Sequence, residues 1–286
     1  MSRHPYRLDL PETVTTPVVV ASPHSGRYYP RGFTRQTVLD ERTIRSSEDA
    51  FMDMLVAEAP SFGAPLLVAE FPRAYVDLNR NADELDPGVV AGLRRPSQNP
   101  RISSGLGVIP RVVANGRVIY RGKLSLEEAE ARIARVWHPY HGRLEDLICE
   151  AQIRFGQAIL LDFHSMPHEA LNSTARPGQP RPEVVLGDRF GASCDGAIVG
   201  ELEAAFASAG LVVSRNAPFA GAFVTQHYGR PSRGRHAIQI EIDRALYMDE
   251  TLIRPNGNFQ NMKALITEVL RRVTGSQMGQ MPLAAE

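Results

Sequence analysis

The chain is sparing with cysteine, with lysine and with net charge. Its two cysteines, Cys149 and Cys194, form neither a metal-binding spacing nor a disulfide framework. They read as small buried hydrophobes in a reducing compartment. Lysine occurs only at Lys123 and Lys263, so positive charge is carried almost entirely by arginine. The guanidinium fork suits bidentate binding of carboxylates. The 32 basic and 32 acidic side chains balance, which removes the electrostatic footprint of a nucleic-acid or polyanion binder. No apolar run approaches the ~18 residues of a membrane span, and MSRHPYRLDLPETV (1–14) has no apolar signal-peptide core. A cytoplasmic protein with no membrane partner is therefore expected. P-loop, GxGxxG and GxSxG elements are absent too, which withdraws support from nucleotide binding and serine-esterase chemistry.

What is present is an α/β pattern. The 286 residues are 43% hydrophobic, enough for a full core. Strands are expected at 17–22, 64–71, 74–78, 157–163, 182–187, 211–215 and 236–242. Several are unbroken Val/Ile/Leu runs, the mark of strands covered on both faces. Helices are expected at 47–59, 125–155, 191–210 and 250–274. Ser125 with Glu128 matches a capping box, Ser47 with its two following acids suits a helix start, and Pro139 predicts a kink. The order predicts a single three-layer α/β domain, a mixed, mostly parallel sheet flanked by helices, with its core at about 15–274 and a frayed tail at 275–286. The Gly/Pro/Ser-rich stretches 95–105 and 170–182 read as functional or mobile loops.

Ligands of open α/β sheets gather at the carboxyl edge of the strands. TPVVVASPHSG (16–26) and AILLDFHSMP (158–167) both deliver a histidine there, His24 and His164. Two imidazoles and one carboxylate make a three-ligand zinc site with an open fourth position. Glu48 and Asp49 are the candidates for the carboxylate, and Asp162 suits a partner orienting an imidazole from behind. In FPRAYVDLNRN (71–81), Arg80 can clamp a substrate carboxylate with help from Asn79, or pair with Asp77 or Asp83. In HAIQIEIDRALYMDE (236–250), alternation puts Ala237, Gln239 and Glu241 on one face. A carboxyl directed into a partly apolar site gains a raised pKa, which suits a general base. His138 and His141, three apart on a helix, form a weaker metal pair, more simply read as packing residues. TQHYGRPSRGRH (225–236) is either a solvated basic loop or a lid in which Tyr228 and Arg230 meet an anionic small molecule.

The ordered blocks SPHSG, SEDAFMDML, VDLNRN, VWHPYHGRL, LLDFHS, GASCD, TQHYGRP and QIEIDRALYMDE resemble the N-formylglutamate amidohydrolase (deformylase) family across roughly residues 17–250. The resemblance implies a zinc-carboxypeptidase-like, phosphorylase/hydrolase-like fold and one Zn²⁺ per chain on His24, Asp49 and His164, with Glu48 as the fallback for Asp49. It further implies Asn79 and Arg80 at a carboxylate or oxyanion, Glu241 as general base, and Asp77 and Asp162 behind the ligands. The implied reaction is hydrolysis of N-formyl-L-glutamate to formate and L-glutamate, in histidine degradation. Two segments depart from the family pattern, one of them the loop NAPFAGAFVTQHYG (216–229), which lacks basic and histidine positions expected before its tyrosine. In the other, Met166 and Pro167 stand where an arginine is expected after the second histidine, and a compensating arginine could come from Arg73, Arg111 or the 230–235 loop. These departures keep a different N-acyl amino acid or a related small amide open as substrate, and a small-molecule binding protein on the same fold is the non-enzymatic alternative. Arg27, in place of an acid three residues after His24, speaks against a carboxypeptidase proper.

Overall fold

The computed structural model describes residues 3–93, 99–173 and 180–275. Seven strands form one sheet: β1 (Tyr6–Asp9), β2 (Val18–Ser22), β3 (Leu66–Ala69), β4 (Ala158–Met166), β5 (Val184–Gly187), β6 (Val213–Arg215) and β7 (Arg235–Asp243). Their spatial order is β1-β3-β2-β4-β7-β5-β6. Only β1–β3 and β5–β7 pair antiparallel; the other four neighbouring pairs are parallel. The mixed, mostly parallel sheet is therefore as expected, and β1 extends it ahead of the expected core.

Side chains alternate across the sheet, and each face builds its own core. Val18, Val20, Ile159, Leu161, Phe163, Ile238, Ile240 and Ile242 pack with the helices Gly196–Ser208 and Phe259–Gly275. Val19, Ala21, Leu160 and Ala237 face the other way, onto the long helix and the 74–124 region. Burying one large aliphatic side chain contributes about 1.5–3 kcal/mol, so the central valines, leucines and isoleucines of β2, β4 and β7 hold the three layers together. No helix among the described residues is long and apolar enough to cross a membrane.

Four expectations change. Residues 74–78 form no strand: Pro72 starts a turn, with Tyr75 N–H donating to Pro72 O at 2.9 Å, and the chain then runs as a loop. The helix expected at 47–59 is broken, because Phe51 takes a left-handed conformation (φ 66°) and only Met52–Leu55 is α-helical. The expected kink at Pro139 appears as a π-helical segment (Ile133–Trp137) between Leu126–Arg132 and His138–Phe155. Proline has no N–H to give, and the widened turn takes up the missing bond. The helix expected from 250 starts only at Phe259. Parts of the expected loops and tail (94–98, 174–179, 276–286) lie outside the described residues.

Candidate active site

Three side chains converge at the carboxyl edge of β2 and β4. His24 follows β2 by two residues, and His164 lies within β4, which runs on to Met166 rather than ending at Phe163. Asp49 sits where the expected helix fails, its N–H donating to His24 O at 3.0 Å. A Cβ on Gly26 would stand 2.1 Å from Phe71 O, so only glycine lets the chain after His24 pass this close to the end of β3. His24, Asp49 and His164 are all at most 2% exposed. His164 Nδ1 lies 3.1 Å from His24 Nδ1 and 3.1 Å from Asp49 Oδ2, and His24 Nδ1 lies 3.4 Å from that same oxygen.

Carboxylates hold the far side of each ring. His24 Nε2 meets Asp77 Oδ1 at 2.7 Å, and His164 Nε2 meets Asp162 Oδ2 at 2.9 Å. Those contacts place the ring proton on Nε2, where it is donated to the carboxylate, and turn both Nδ1 lone pairs toward Asp49. Three acceptor atoms facing one another repel unless positive charge stands between them. This donor set, His-Asp-His within 4.8 Å, fits a metal ion. Burial pushes the Asp49 carboxyl up, but hydrogen bonds with His164 and His24 override it and hold the group well below the usual range. Burial pulls His164 down, and the charge and hydrogen bond of Asp162, with Asp49, outweigh it and raise the imidazole well above its ordinary value. Both directions say that positive charge is favoured here.

Glu48 does not join the cluster. It accepts from Tyr29 Oη at 2.5 Å and from the Arg45 fork at 3.1–3.2 Å, and shares no partner with Asp49 among the described residues. Asp49 Oδ1 is held by Ser165 Oγ at 3.0 Å and Arg244 Nη2 at 3.1 Å.

The cluster opens into a cavity of about 680 Å³ that Glu241 and Arg80 also line. Glu241 pairs in register with His164 across β4 and β7. Burial first, then the charge of Asp49, pushes its carboxyl up to about 7 against the pull of His164 and Arg73. Gln239 donates to Glu241 Oε1 at 2.7 Å, and its own oxygen accepts from Asn79 Nδ2 and Ala222 N–H, both at 3.1 Å. Asn79 Oδ1 is taken by Val224 N–H at 2.9 Å, so this amide braces the wall instead of presenting two open groups. The Arg80 guanidinium is held by Leu106 O at 2.8 Å and Asn79 O at 2.7 Å, the arrangement expected of a braced cation and not of an ion pair with Asp77 or Asp83. Arg73 lines the same cavity and donates to Asp77 Oδ2 at 2.9 Å.

Several expectations fall elsewhere. Tyr228 and Arg230 line a separate cavity beside the long helix, since the Phe223–Tyr228 helix turns Tyr228 toward His141. Arg230 donates to the carbonyls of Gln226 and Gly229, both at 2.6 Å. His138 is exposed while His141 is buried, so they share no metal site. Arg111 is spent on Asp86 at 2.8 Å. Sequence reasoning missed Arg101, Arg244 and Gln239 as cavity residues. Gln239 carried a usable signal, since it shares the alternating face of Glu241.

Comparison with known proteins places the chain among named relatives. A family model described as N-formylglutamate amidohydrolase matches residues 16–248. N-formylglutamate deformylases of Pseudomonas aeruginosa and Pseudomonas putida are 32% and 30% identical over 242 residues, each alignment covering 82% of this chain and 83% of the relative. The crystal structure of N-formylglutamate amidohydrolase from Ralstonia eutropha superposes with a TM-score of 0.89 at 35% identity, covering 95% of this chain and 98% of that one. A gene product of Agrobacterium tumefaciens shares the fold at a TM-score of 0.67 and 17% identity, with 95% of each chain covered.

Proposed function

The chain belongs to the N-formylglutamate amidohydrolase family, and on that premise we propose that it hydrolyses the formyl amide of N-formyl-L-glutamate to formate and L-glutamate. The observation that carries the reading is the Glu241 carboxylate standing one strand from His164, at the edge of a buried His-Asp-His cluster. We assign His24, Asp49 and His164 as ligands of one zinc ion, which when bound supplies Lewis acidity to the amide carbonyl and the attacking water.

The chain's own residues do the rest. Glu241, raised to about 7, takes a proton from the water whose oxygen adds to the formyl carbon. It returns a proton to the amide nitrogen as the C–N bond breaks, so that formate and the free amine leave and the base is restored. Asp77 and Asp162 keep both imidazoles in the tautomer that turns Nδ1 inward. Arg80 and Arg73 supply fixed positive charge for the substrate carboxylates and for the oxyanion. Arg244 supports glutamate as the amino acid: its Nε reaches Ser165 Oγ at 3.0 Å, beside the Met166–Pro167 position where the family resemblance calls for an arginine. A different N-acyl amino acid is the second reading, favoured by the apolar Met166 and Pro167 on the cavity wall.

The test is metal content of the purified protein together with formate release from N-formyl-L-glutamate, before and after chelation. About one zinc per chain and chelator-sensitive release is the expected result. Zinc without release moves the substrate to another N-acyl amino acid, and neither metal nor turnover after zinc is restored overturns the proposal.

A further inference from the structure

The segment Asp77–Arg80 carries a partner of His24 and two wall residues of the cavity, yet it belongs to no strand. On one side Asp77 N–H donates to Val108 O at 2.8 Å. On the other, two side chains of the long helix reach its backbone. Trp137 Nε1 donates to Arg80 O and His141 Nε2 to Leu78 O, both at 2.9 Å. Residues four apart on a helix lie ~6 Å apart along its axis on one face, so Trp137 and His141 reach the same segment from the same side. The π-helical segment ends at Trp137, with His138 N–H reaching back to Ile133 O. Widened turns of this kind recur at functional positions of helices.

His141 makes its contact without charge. Tyr228 Oη lies 2.8 Å from Nδ1 and donates to it, which leaves the proton on Nε2 for Leu78 O. Burial holds the imidazole down at about 3. The Phe223–Tyr228 helix that supplies this hydroxyl also supplies the Val224 N–H on Asn79 Oδ1. Asn79 is thus fixed through both flanking carbonyls and through its own side chain, and it passes that order on through Gln239 to Glu241.

We propose that Trp137 and His141, with Tyr228 behind them, are positioning residues that clamp the Asp77–Arg80 segment, and so aim Arg80 at the substrate and hold Asn79 as the brace of Gln239 and Glu241. The inference rests on the amide-hydrolysis reading only for its kinetic readout. In the metal-loaded full-length protein, Trp137→Phe and His141→Phe should each raise KM for N-formyl-L-glutamate about tenfold, the equivalent of one lost hydrogen bond, with smaller change in kcat and unchanged metal content. His141→Gln, whose amide still donates, should recover most of the loss. Backbone amide exchange should quicken at 77–81 in the phenylalanine variants while β4 and β7 stay protected. KM unchanged, or activity lost only in step with the folded, metal-loaded fraction, overturns the clamp. If the unaltered protein releases no formate, the amide reading fails instead. The exchange at 77–81 then decides alone, and protection unchanged in both phenylalanine variants overturns the clamp.

Discussion

Two kinds of buried imidazole meet the Asp77–Arg80 segment, and the protein treats them oppositely. His164 stands between Asp162 and Asp49 and is raised well above its ordinary value, although burial pulls it down. His141, as deeply enclosed, stands between a carbonyl and a phenol and falls to about 3. Burial is shared, so the partners decide the sign. Carboxylates make one place that calls for a cation, and neutral groups make another that serves as a rigid, uncharged strut.

That contrast can be broken most forcefully by truncating one ring of each kind. His164→Ala should abolish both metal retention and formate release, whereas His141→Ala should keep the metal and lose stability; elemental analysis and urea unfolding separate the two. Retained metal in the first variant would erase the distinction. Next in size, Glu241→Gln should lower kcat by about 10²–10⁴ with metal content intact, the usual range for a lost general base. A variant that also loses its metal would show Glu241 to be part of the cation site. Asp162→Asn and Asp77→Asn should weaken metal affinity by about 10–100-fold, since each removes the charge that faces an Nε2 proton. Competition with a chelator of known affinity reads this, and no change would mean that the carboxylates behind the rings are ornamental.

The pH profile sharpens the comparison further. The proposed base role of Glu241 requires the deprotonated form, and its carboxyl is raised to about 7. Rate should therefore climb about tenfold per pH unit below that value and flatten above it. Ionisation of His141, near 3, should leave no mark between pH 5 and 9. A flat profile through the neutral range would remove Glu241 from the base role. The smallest expected effect is Tyr228→Phe, which takes the hydroxyl from His141 and should cost about 1 kcal/mol of stability, read as a shift in the urea midpoint. A neutral result there would leave Tyr228 as packing alone.

Much of this was legible in the sequence, and the failures have physical causes. His24, His164 and Glu241 could be found because strand ends and two-residue alternation are local properties of the chain. Residues 74–78 look like a strand for the same local reason, but their apolar side chains are buried by loops and the long helix, not by strand neighbours. The break near Asp49 was hidden because Phe51 adopts a left-handed conformation that its side chain does nothing to advertise. The choice between Glu48 and Asp49 needed three dimensions, since both are buried and only their partners differ. Arg101 gave no signal at all, and the basic loop after Tyr228 gave a misleading one by resembling a lid.

One feature of the sheet reaches beyond this reaction. His164 and Glu241 face each other across a continuous parallel ladder that runs from Ala158 against Arg235 to Met166 against Asp243. The distance between them is therefore a property of strand spacing, as hard to alter as the fold itself. Arg73, Arg80 and Arg101 hang instead on segments outside the sheet. Such an arrangement puts His164 and Glu241 on the stiffest part of the molecule and the three arginines on segments that can shift without disturbing the ladder.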